Sequence, residues 1–504
     1  TSGSNNTALG RDALRDNTTA SNNTAVGIQS LKVNTTGEQN VAVGAYSLDA
    51  NTTGSENTAV GYQSLGTNTT GDHLVAVGWQ TLLRNTTGNT NVGVGSHCLD
   101  HNTTGSGNVG VGTHVLSGNT TGIGNTAIGQ QPMLYNTTGN YNSAVGWTAL
   151  QDNTEGDYNT AIGGGALANN TTASNNTSVG YNSLTANTTG GENVAVGYAA
   201  LDANTTGATN TAVGIDSLGG NTTGHGNTAV GREALKANTT GGSNTALGRN
   251  ALAVNSSGNN NIAIGFEALR LNTTGIDNVV IGTEAGEQQT TAGQNVAIGR
   301  KALRQNQTSE GNTAVGSHAM QNTTAANNTG IGNYALQQNS TGTNNVAVGA
   351  NALDSNTTAS NNTAVGYGSL GLNTTGANNI SVGFQSLNSN TTGSDNVGIG
   401  YNVLLDNTTG LNNVAVGRVA LANNTTASNN TAIGRSALVM NTTASNNTAV
   451  GYESLMQNTT GHSNVAVGSL ALEANTTANN SVAVGYSALT SNTTGSRNVT
   501  VGSM

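Results

Sequence analysis

A glycine recurs every 17 residues along most of the chain, from Gly10 and Gly27 to Gly502, and this spacing constrains the fold more than any other feature. With the asparagine of the motif NTAVG as position 1, repeats begin at Asn6 and share the consensus N-[TV]-A-[VI]-G-x-x-[AS]-L-x-x-N-T-T-[GA]-x-x. The chain holds 29 complete units and the start of a thirtieth, and position 5 is Gly in all thirty. Such self-similarity at a short period is typical of repeat architectures.

The composition of the repeat favours strands over helices. Each unit carries Gly, adjacent Thr residues and several Asn, all unfavourable inside a helix. The TAV and VAV segments are β-branched and bounded by Asn and Gly, as short strands are. A Gly at the same place in every unit suits a position that needs positive φ or a close backbone approach. We predict an all-β parallel β-solenoid of about 29 stacked 17-residue coils, a single array over residues 1–504 and ~140 Å long at ~4.8 Å per coil.

Repeated apolar and amide positions predict how a coil is packed. Position 9 is Leu in 26 of 29 units and position 4 is always Val, Ile or Leu, so we expect both to form interior columns. Asn at positions 1 and 12 is expected to stack into amide ladders. Positions 1, 3 and 5 form a strand face of small residues. Either the opposite wall of a thin roll or a neighbouring chain could cover this face, and we favour the neighbouring chain.

Two units depart from the pattern. The unit 278–294 has Gly286 in place of the Leu and Gln289 in place of the second Asn. The unit 312–327 is one residue short, between Met320 and Asn322. We therefore predict a kink or packing defect across 282–322. The chain also begins and ends within a repeat, which we expect of a segment of a longer protein.

Composition argues against several classes of function. Fourteen Lys and Arg residues and a net charge of −10 over 504 residues are too little positive charge to bind nucleic acid along an extended surface. The lone Cys98 excludes an intrachain disulfide framework. No apolar run reaches the roughly 18 residues of a membrane span, and the N-terminus does not resemble a secretion signal. We expect no nucleic acid partner and no membrane segment.

Catalytic and metal-binding patterns are equally weak. His97 and His114 fall at position 7 of adjacent units, near Cys98 and His101, but their spacing matches no metal-ligand motif. We interpret them as scattered surface side chains. A catalytic site needs a few unlike residues placed once, whereas this chain repeats like residues everywhere. We expect neither an enzyme nor a cofactor.

The NTT segment at positions 12–14 allows two interpretations. It forms an N-x-[ST] sequon in 27 of 29 units, which would carry sugar in a glycosylating host. Alternatively, the Asn caps a turn and the Thr residues favour extended backbone. Ranks of Thr also suggest ice binding, although adjacent Thr side chains point to opposite faces of a strand. Predicted glycosylation sites include Asn17, Asn34, Asn51, Asn68, Asn85, Asn102, Asn119 and Asn136.

Position 6 collects 11 of the 16 aromatic residues and also accepts Arg six times. A position that takes both Trp and Arg is at least partly exposed. It is either a stripe that contacts a sugar or another surface, or a row of corner residues that cover the strand turn, and we favour the corner interpretation. The candidate contact stripe includes Tyr62, Trp79, Trp147, Tyr181, Tyr198 and Tyr452.

The strand motifs resemble those of a known family. NVAVG at 40–44, 193–197 and 464–468, NVAIG at 295–299 and SVAVG at 481–485 are similar to the head repeats of trimeric autotransporter adhesins. Phage tail fibres carry similar Asn/Thr/Gly-rich arrays. The resemblance implies a left-handed parallel β-roll and a homotrimer. The unit here departs from the adhesin repeat by its added NTTG segment, and the chain contains no neck, coiled-coil stalk or membrane anchor.

These observations favour a structural or adhesive fibre at the cell surface or outside the cell. We expect self-association, as a homotrimer or end to end, and contacts with a cell surface, a glycan or extracellular matrix. The alternative is a rod that binds a ligand, either a glycan as a phage fibre does, or ice through its Thr and Asn ladders.

Overall fold

A computed structural model describes residues 2–503 of the 504-residue chain; the two end residues of the predicted array lie outside the described residues. The residues divide into two compact units, Thr1–Ser257 and Gly258–Met504. All secondary structure in the described part consists of short β-strands. The interpretation of the repeats as one array stays a prediction.

The first unit contains fifteen strands, each with the residues of positions 2–4. They are β1 (Thr7–Leu9), β2 (Thr24–Val26), β3 (Val41–Val43), β4 (Thr58–Val60), β5 (Val75–Val77), β6 (Val92–Val94), β7 (Val109–Thr113), β8 (Thr126–Gln130), β9 (Ser143–Val145), β10 (Thr160–Ile162), β11 (Thr177–Val179), β12 (Val194–Val196), β13 (Thr211–Val213), β14 (Thr228–Val230) and β15 (Thr245–Leu247).

The second unit contains fifteen more strands. They are β16 (Ile262–Ile264), β17 (Val279–Ile281), β18 (Val296–Ile298), β19 (Thr313–Val315), β20 (Thr329–Ile331), β21 (Val346–Val348), β22 (Thr363–Val365), β23 (Ile380–Val382), β24 (Val397–Ile399), β25 (Val414–Val416), β26 (Thr431–Ile433), β27 (Thr448–Val450), β28 (Val465–Val467), β29 (Val482–Val484) and β30 (Val499–Val501).

Every strand pairs in parallel with the next along the chain inside its unit. The register joins like positions, as in Thr24↔Val41 and Ala25↔Ala42. Outside the strands, backbone bonds run in both directions between coils: Gly44 N donates to Val26 O of the preceding coil (2.8 Å), and Leu48 N to Ser64 O of the following one (3.0 Å). The predicted parallel β-solenoid is therefore confirmed in each unit, while its handedness stays a prediction.

The glycine of position 5 is required by both conformation and space. Its φ lies between 130° and 141° in all thirty units, a region that L side chains rarely adopt. A Cβ on Gly214 would also lie 2.6 Å from the carbonyl oxygen of Gly231 in the next coil. Each coil approaches its neighbour so closely here that no other residue fits.

Position 9 is also left-handed, which the sequence pattern did not predict. Its φ lies between 48° and 56° in every complete unit, and its residue is almost always Leu. A non-glycine residue in this region costs roughly 1–2 kcal/mol. Complete burial of a Leu side chain contributes about 1.5–3 kcal/mol, which offsets that cost. Leu31 and Leu48, for example, are fully buried.

The interior of each coil differs from the prediction in one respect. Leu of position 9 forms a buried column as expected, but the Val or Ile of position 4 does not. The second interior column is instead the Ala of position 3, represented by Ala25 and Ala42. A strand has two faces, and the face of small residues turns inward because the roll is thin. The prediction of position 4 as an interior column was therefore wrong.

The same arrangement corrects our preference for a neighbouring chain against the small face. A Cβ on Gly110 at position 3 would lie 3.3 Å from Val115 Cγ1 at position 8 of the same coil, and 3.6 Å from Leu99 Cδ1 in the preceding coil. The small face thus packs against the opposite wall of its own roll. The interior of the roll has room for only one small side chain and one medium side chain facing it. This limit explains why Ala and Gly recur at position 3.

Candidate functional site

The turn that contains NTT is built around two asparagine ladders. Asn51 at position 12 donates from Nδ2 to Oδ1 of Asn34 in the preceding coil (2.8 Å) and to Gly54 O in its own coil (2.9 Å). Asn40 at position 1 donates from Nδ2 to the same Gly54 carbonyl (2.9 Å). Its Oδ1 accepts the backbone N–H of Asn57 in the following coil (3.0 Å). The predicted amide ladders are confirmed.

The sequon asparagines belong to this ladder. Asn34, Asn51, Asn68, Asn85, Asn102, Asn119 and Asn136 are fully buried, and Asn17 in the first coil is half-buried. An N-linked glycan is attached through the same Nδ2 atom that donates the two ladder bonds. In a folded coil, the sugar and the ladder are therefore incompatible. This geometry favours the turn interpretation of NTT, and glycosylation stays a prediction.

The two Thr residues of NTT have different environments. The hydroxyl of Thr52 at position 13 donates to the carbonyl of Thr69 in the next coil (3.0 Å), and this bond recurs along both units. Thr53 at position 14 is exposed, as are Thr36 and Thr70 in the neighbouring coils. The Thr residues of position 14 thus form one exposed column in each unit, and the ice-binding alternative would have to use this column. Ice binding stays a prediction.

Aromatic residues of position 6 lie on the surface and touch one another between coils. The six candidate residues are 42–57% exposed: Tyr62, Trp79, Trp147, Tyr181, Tyr198 and Tyr452. Tyr181 and Tyr198 stack with ring centroids 5.9 Å apart. Arg435 lies over the ring of Tyr452 at 5.7 Å. Rings that are partly exposed and stack between coils are compatible with both interpretations of this stripe.

Positions 2 and 4 form the outer strand face, by which we mean these two side chains of every coil. Position 4 is aliphatic in all thirty units, position 2 is Thr, Val, Ile or Ser, and neither position carries a charge. The side chains are half-exposed or exposed, with Val94 at 37% and Ile128 at 42%. Sequence reasoning missed this surface because it assigned position 4 to the interior. The small residues of position 3, Ala or Gly in nearly all units, were the signal that could have shown which face turns inward.

The His97 region is a packed surface cluster. His97 stacks on His114 with centroids 4.9 Å apart, and its Nδ1 lies 3.3 Å from Asp100 Oδ2. Cys98 is fully buried, and burial raises the pKa of its thiol to about 12. Within residues 2–503, no group of three or more His, Cys, Asp or Glu side chains is placed to hold a metal ion. The stack between the two rings and the contact of His97 with Asp100 account for the positions of these side chains.

The irregular region contains an ion-pair triad and a break in the ladder. Glu287 Oε1 lies 2.9 Å from Arg270 Nη2, and its Oε2 lies 2.7 Å from Arg304 Nε. Burial alone would raise the pKa of Glu287, but the two arginine hydrogen bonds outweigh it and hold the pKa below its ordinary value. The amide of Gln289 is buried without a hydrogen-bond partner. Strands β17–β20 nevertheless stay paired in register. The kink or defect across 282–322 stays a prediction.

The short coil loses its residue at a different place from the one predicted. Thr323, not Asn322, is fully buried in the place of position 12, and its N–H donates to Met320 O (3.0 Å) as position 12 does to position 9 elsewhere. Asn322 lies one place earlier, at position 11, and its Nδ2 donates to Gln338 Oε1 at the surface (3.0 Å). The missing residue is therefore the exposed Thr of position 14.

A comparison with models of known protein families and with curated proteins finds no match to the chain. The described residues also contain no helix that is long and apolar enough to cross a bilayer.

Proposed function

We propose that the chain is the shaft of an extracellular or cell-surface fibre without enzymatic activity, and that copies of it associate through the outer strand face. The observation that carries this proposal is that face itself: an aliphatic column repeated in every coil and left half-exposed. An isolated soluble protein rarely exposes a contiguous apolar surface of this extent.

The size of the face supports a stable association. A fully exposed side chain of the size of Val or Thr presents roughly 100 Å², so one-third exposure of positions 2 and 4 over fifteen coils leaves about 1,000 Å² of uncharged surface per unit. A standard protein interface buries about 800 Å² per partner. One unit therefore has enough surface for an interface, and the absence of charge at positions 2 and 4 removes the main desolvation cost of forming it.

The resemblance to adhesin head repeats supports a homotrimer as the form of association. It rests on the NVAVG-type strands and on the solenoid that they form. Each coil would then contribute a small contact, and the repetition of contacts along the shaft would provide both rigidity and affinity. An adhesive role at a cell surface, glycan or matrix is part of the same proposal.

Light scattering on size-separated native protein tests the association. Three chain masses are expected for a homotrimer, and a broad series of larger masses for an end-to-end fibre. A Val179→Glu/Val213→Glu variant places two charges on the outer strand face and is expected to give the single-chain mass of 50.1 kDa. The matched control, Thr189→Glu/Thr223→Glu, places the same charges two coils apart on the exposed Thr column and should keep the native mass.

A single-chain mass for the unmodified protein would refute self-association. An outer-face variant that assembles as well as its control would show that another surface is used. If the protein is a single chain and binds glycans or ice, the ligand-binding rod replaces the structural fibre as the better proposal.

A further inference from the structure

Position 10 carries a pattern that the shaft function does not require. Gly occurs there three times, and each time the preceding coil has Asp at the same position. The pairs are Asp49 with Gly66, Asp202 with Gly219, and Asp354 with Gly371. Burial raises the pKa of all three of these aspartates. In each pair, the Gly leaves a gap in the surface beside the partly buried carboxylate of the Asp. We call these gaps the first, second and third notch, in chain order.

The chain itself occupies the first two notches. At Gly66, a Cβ would lie 3.1 Å from Leu83 Cδ1, so the Leu side chain of the following coil fills the gap. At Gly219, the residue in the following coil is Lys236, and its Nζ lies 3.4 Å from Asp216 Oδ2 in the glycine's own coil. This Lys also acts on Asp202, the pKa of which it pulls downward against the effect of burial. The second notch thus has its own cation.

The third notch retains a cavity, although the amide of Asn388 reaches into it and its Nδ2 would lie 2.9 Å from a Cβ on Gly371. Its coil lacks side chains at both position 7 (Gly368) and position 10 (Gly371), and a cavity of about 150 Å³ lies there, lined also by Asp354, Tyr367, Gln385 and Asn388. The residue that corresponds to Lys236 is Asn388, which donates from Nδ2 to Gly368 O (2.7 Å) and carries no charge. Asp354 Oδ1 is buried and has no hydrogen-bond partner. A buried acceptor without a donor is costly, so this oxygen favours a ligand that donates.

We infer that this notch binds a small alkylguanidinium cation. The amide of Asn388 takes up the space directly over Gly368 and Gly371, so the remaining cavity of about 150 Å³ admits only a small cation. A guanidinium is planar, donates through a fork that suits a carboxylate, and stacks on aromatic rings such as that of Tyr367. The cavity is about as large as one that holds a six-carbon ring.

A metal ion suits the notch less well. Ca²⁺ takes six to eight oxygen ligands and usually several carboxylates, whereas Asp354 is the one carboxylate among the lining residues. The carboxamides of Asn351, Gln385 and Asn388 complete a polar wall around an organic cation without adding negative charge. All the residues that line the cavity belong to the second unit, and none of them is part of the outer strand face, so the inference does not depend on the proposed fibre function.

Saturation-transfer NMR on the full chain, with N-methylguanidinium as the probe and neutral N-methylurea as its isostere, tests the inference. Methylguanidinium is expected to bind with a dissociation constant on the order of 1 mM, and methylurea not to saturate. D354N should weaken methylguanidinium at least about tenfold, because it removes a charge-assisted hydrogen bond. N388K, which supplies a cation as Lys236 does in the second notch, should abolish binding without loss of fold.

The matched control is D202N, which removes the carboxylate of the notch that already has its own cation, and it should leave probe binding unchanged. Absence of a saturable methylguanidinium signal in the unmodified chain would overturn the inference. Equal binding by D354N, or equal binding of methylurea, would overturn it too. N388K tests the site independently of D354N, since it blocks the notch and leaves the carboxylate in place.

Discussion

Replacement of Asn373 by Asp tests the asparagine ladder with almost no change of shape. Asn373 is fully buried and donates from Nδ2 to Asn356 Oδ1 (2.9 Å) and to Gly376 O (2.9 Å). Its own Oδ1 accepts from Asn390 Nδ2 (2.8 Å). Asp keeps the accepting oxygen but turns the double donor into a second oxygen. At neutral pH, a buried carboxylate would then face two acceptor oxygens.

The expected cost follows from the protonation of that carboxyl. Burial and the two facing oxygens raise its pKa in the folded state by about three units above the unfolded value of about 3.9. At about 1.4 kcal/mol per unit, deprotonation at pH 7 costs about 4 kcal/mol. The sign follows from the raised pKa: below pH ~3.9 this cost is absent, and it grows as the pH rises toward the folded-state pKa. At low pH the carboxyl is protonated, and the variant is then less stable than the unmodified chain by only about 1 kcal/mol, because one donor hydrogen is lost.

Hydrogen exchange monitored by mass spectrometry measures the effect where it occurs, because each coil of a repeat protein depends mainly on its neighbours. The Thr374 N–H, which donates to Thr391 O (2.9 Å), should exchange roughly a thousandfold faster in Asn373→Asp at pH 7, after correction for intrinsic rates. The control is Asn322→Asp, which has the same N-T-T sequence in the same unit but an amide at the surface. It should change exchange less than about threefold.

Two results would refute this account of the ladder. An equal loss of protection from hydrogen exchange in the two variants would mean that the buried amide bonds contribute no more to stability than a surface contact does. A loss in Asn373→Asp that grows as the pH falls would have the wrong sign for a buried carboxylate.

Three further outcomes are expected. Gly214→Ala should destabilise its coils by about 3 kcal/mol in urea unfolding, since the added Cβ would lie 2.6 Å from Gly231 O at a φ of 135°; a neutral effect would contradict the required close approach. Cys98 should resist thiol reagents at pH 8 in the native state and react fully in denaturant, because burial raises its pKa to about 12; fast native labelling would contradict its burial. In a glycosylating host, peptide mapping should find Asn322 modified in preference to the ladder asparagines, because its Nδ2 lies at the surface; sugar throughout the ladder in folded protein would refute that preference.

The period of the sequence was sufficient to predict the solenoid, the register and both amide ladders. Gly at position 5 recurs because its positive φ and the close approach of the next coil require it, and Asn at positions 1 and 12 because their side-chain hydrogen bonds join the coils. Such strict recurrence is readable without a structure. The direction of the strand faces was not readable in the same way. Position 4 is aliphatic in every unit, which in most proteins indicates a core, and only the thinness of the roll reverses that expectation.

The left-handed conformation at position 9 could not be predicted from residue type, because Leu gives no signal for positive φ. Each Leu is held there by its burial and by the backbone bonds of its coil, as when Leu48 N donates to Ser64 O (3.0 Å). The cavity at the third notch was missed for a related reason. Its Gly371 looks like any variable position along the chain, and its meaning depends on what the coils on either side supply.

The irregular coil 278–294 shows how the interior tolerates variation in its repeats. Loss of the Leu at Gly286 coincides with Val280 in place of the usual Ala at position 3, and Val280 Cγ1 lies 3.3 Å from where a Cβ on Gly286 would stand. The longer Gln289 approaches the same point, with Nε2 at 3.1 Å. Volume lost at one position is thus regained at two others. The opposite exchange occurs in coil 328–344, where Gly330 replaces the Ala of position 3 and a Cβ would lie 2.7 Å from Met320 Cγ. Positions 3, 8, 9 and 12 therefore share one fixed volume, so a departure at any of them is expected to be matched by a change in size at another.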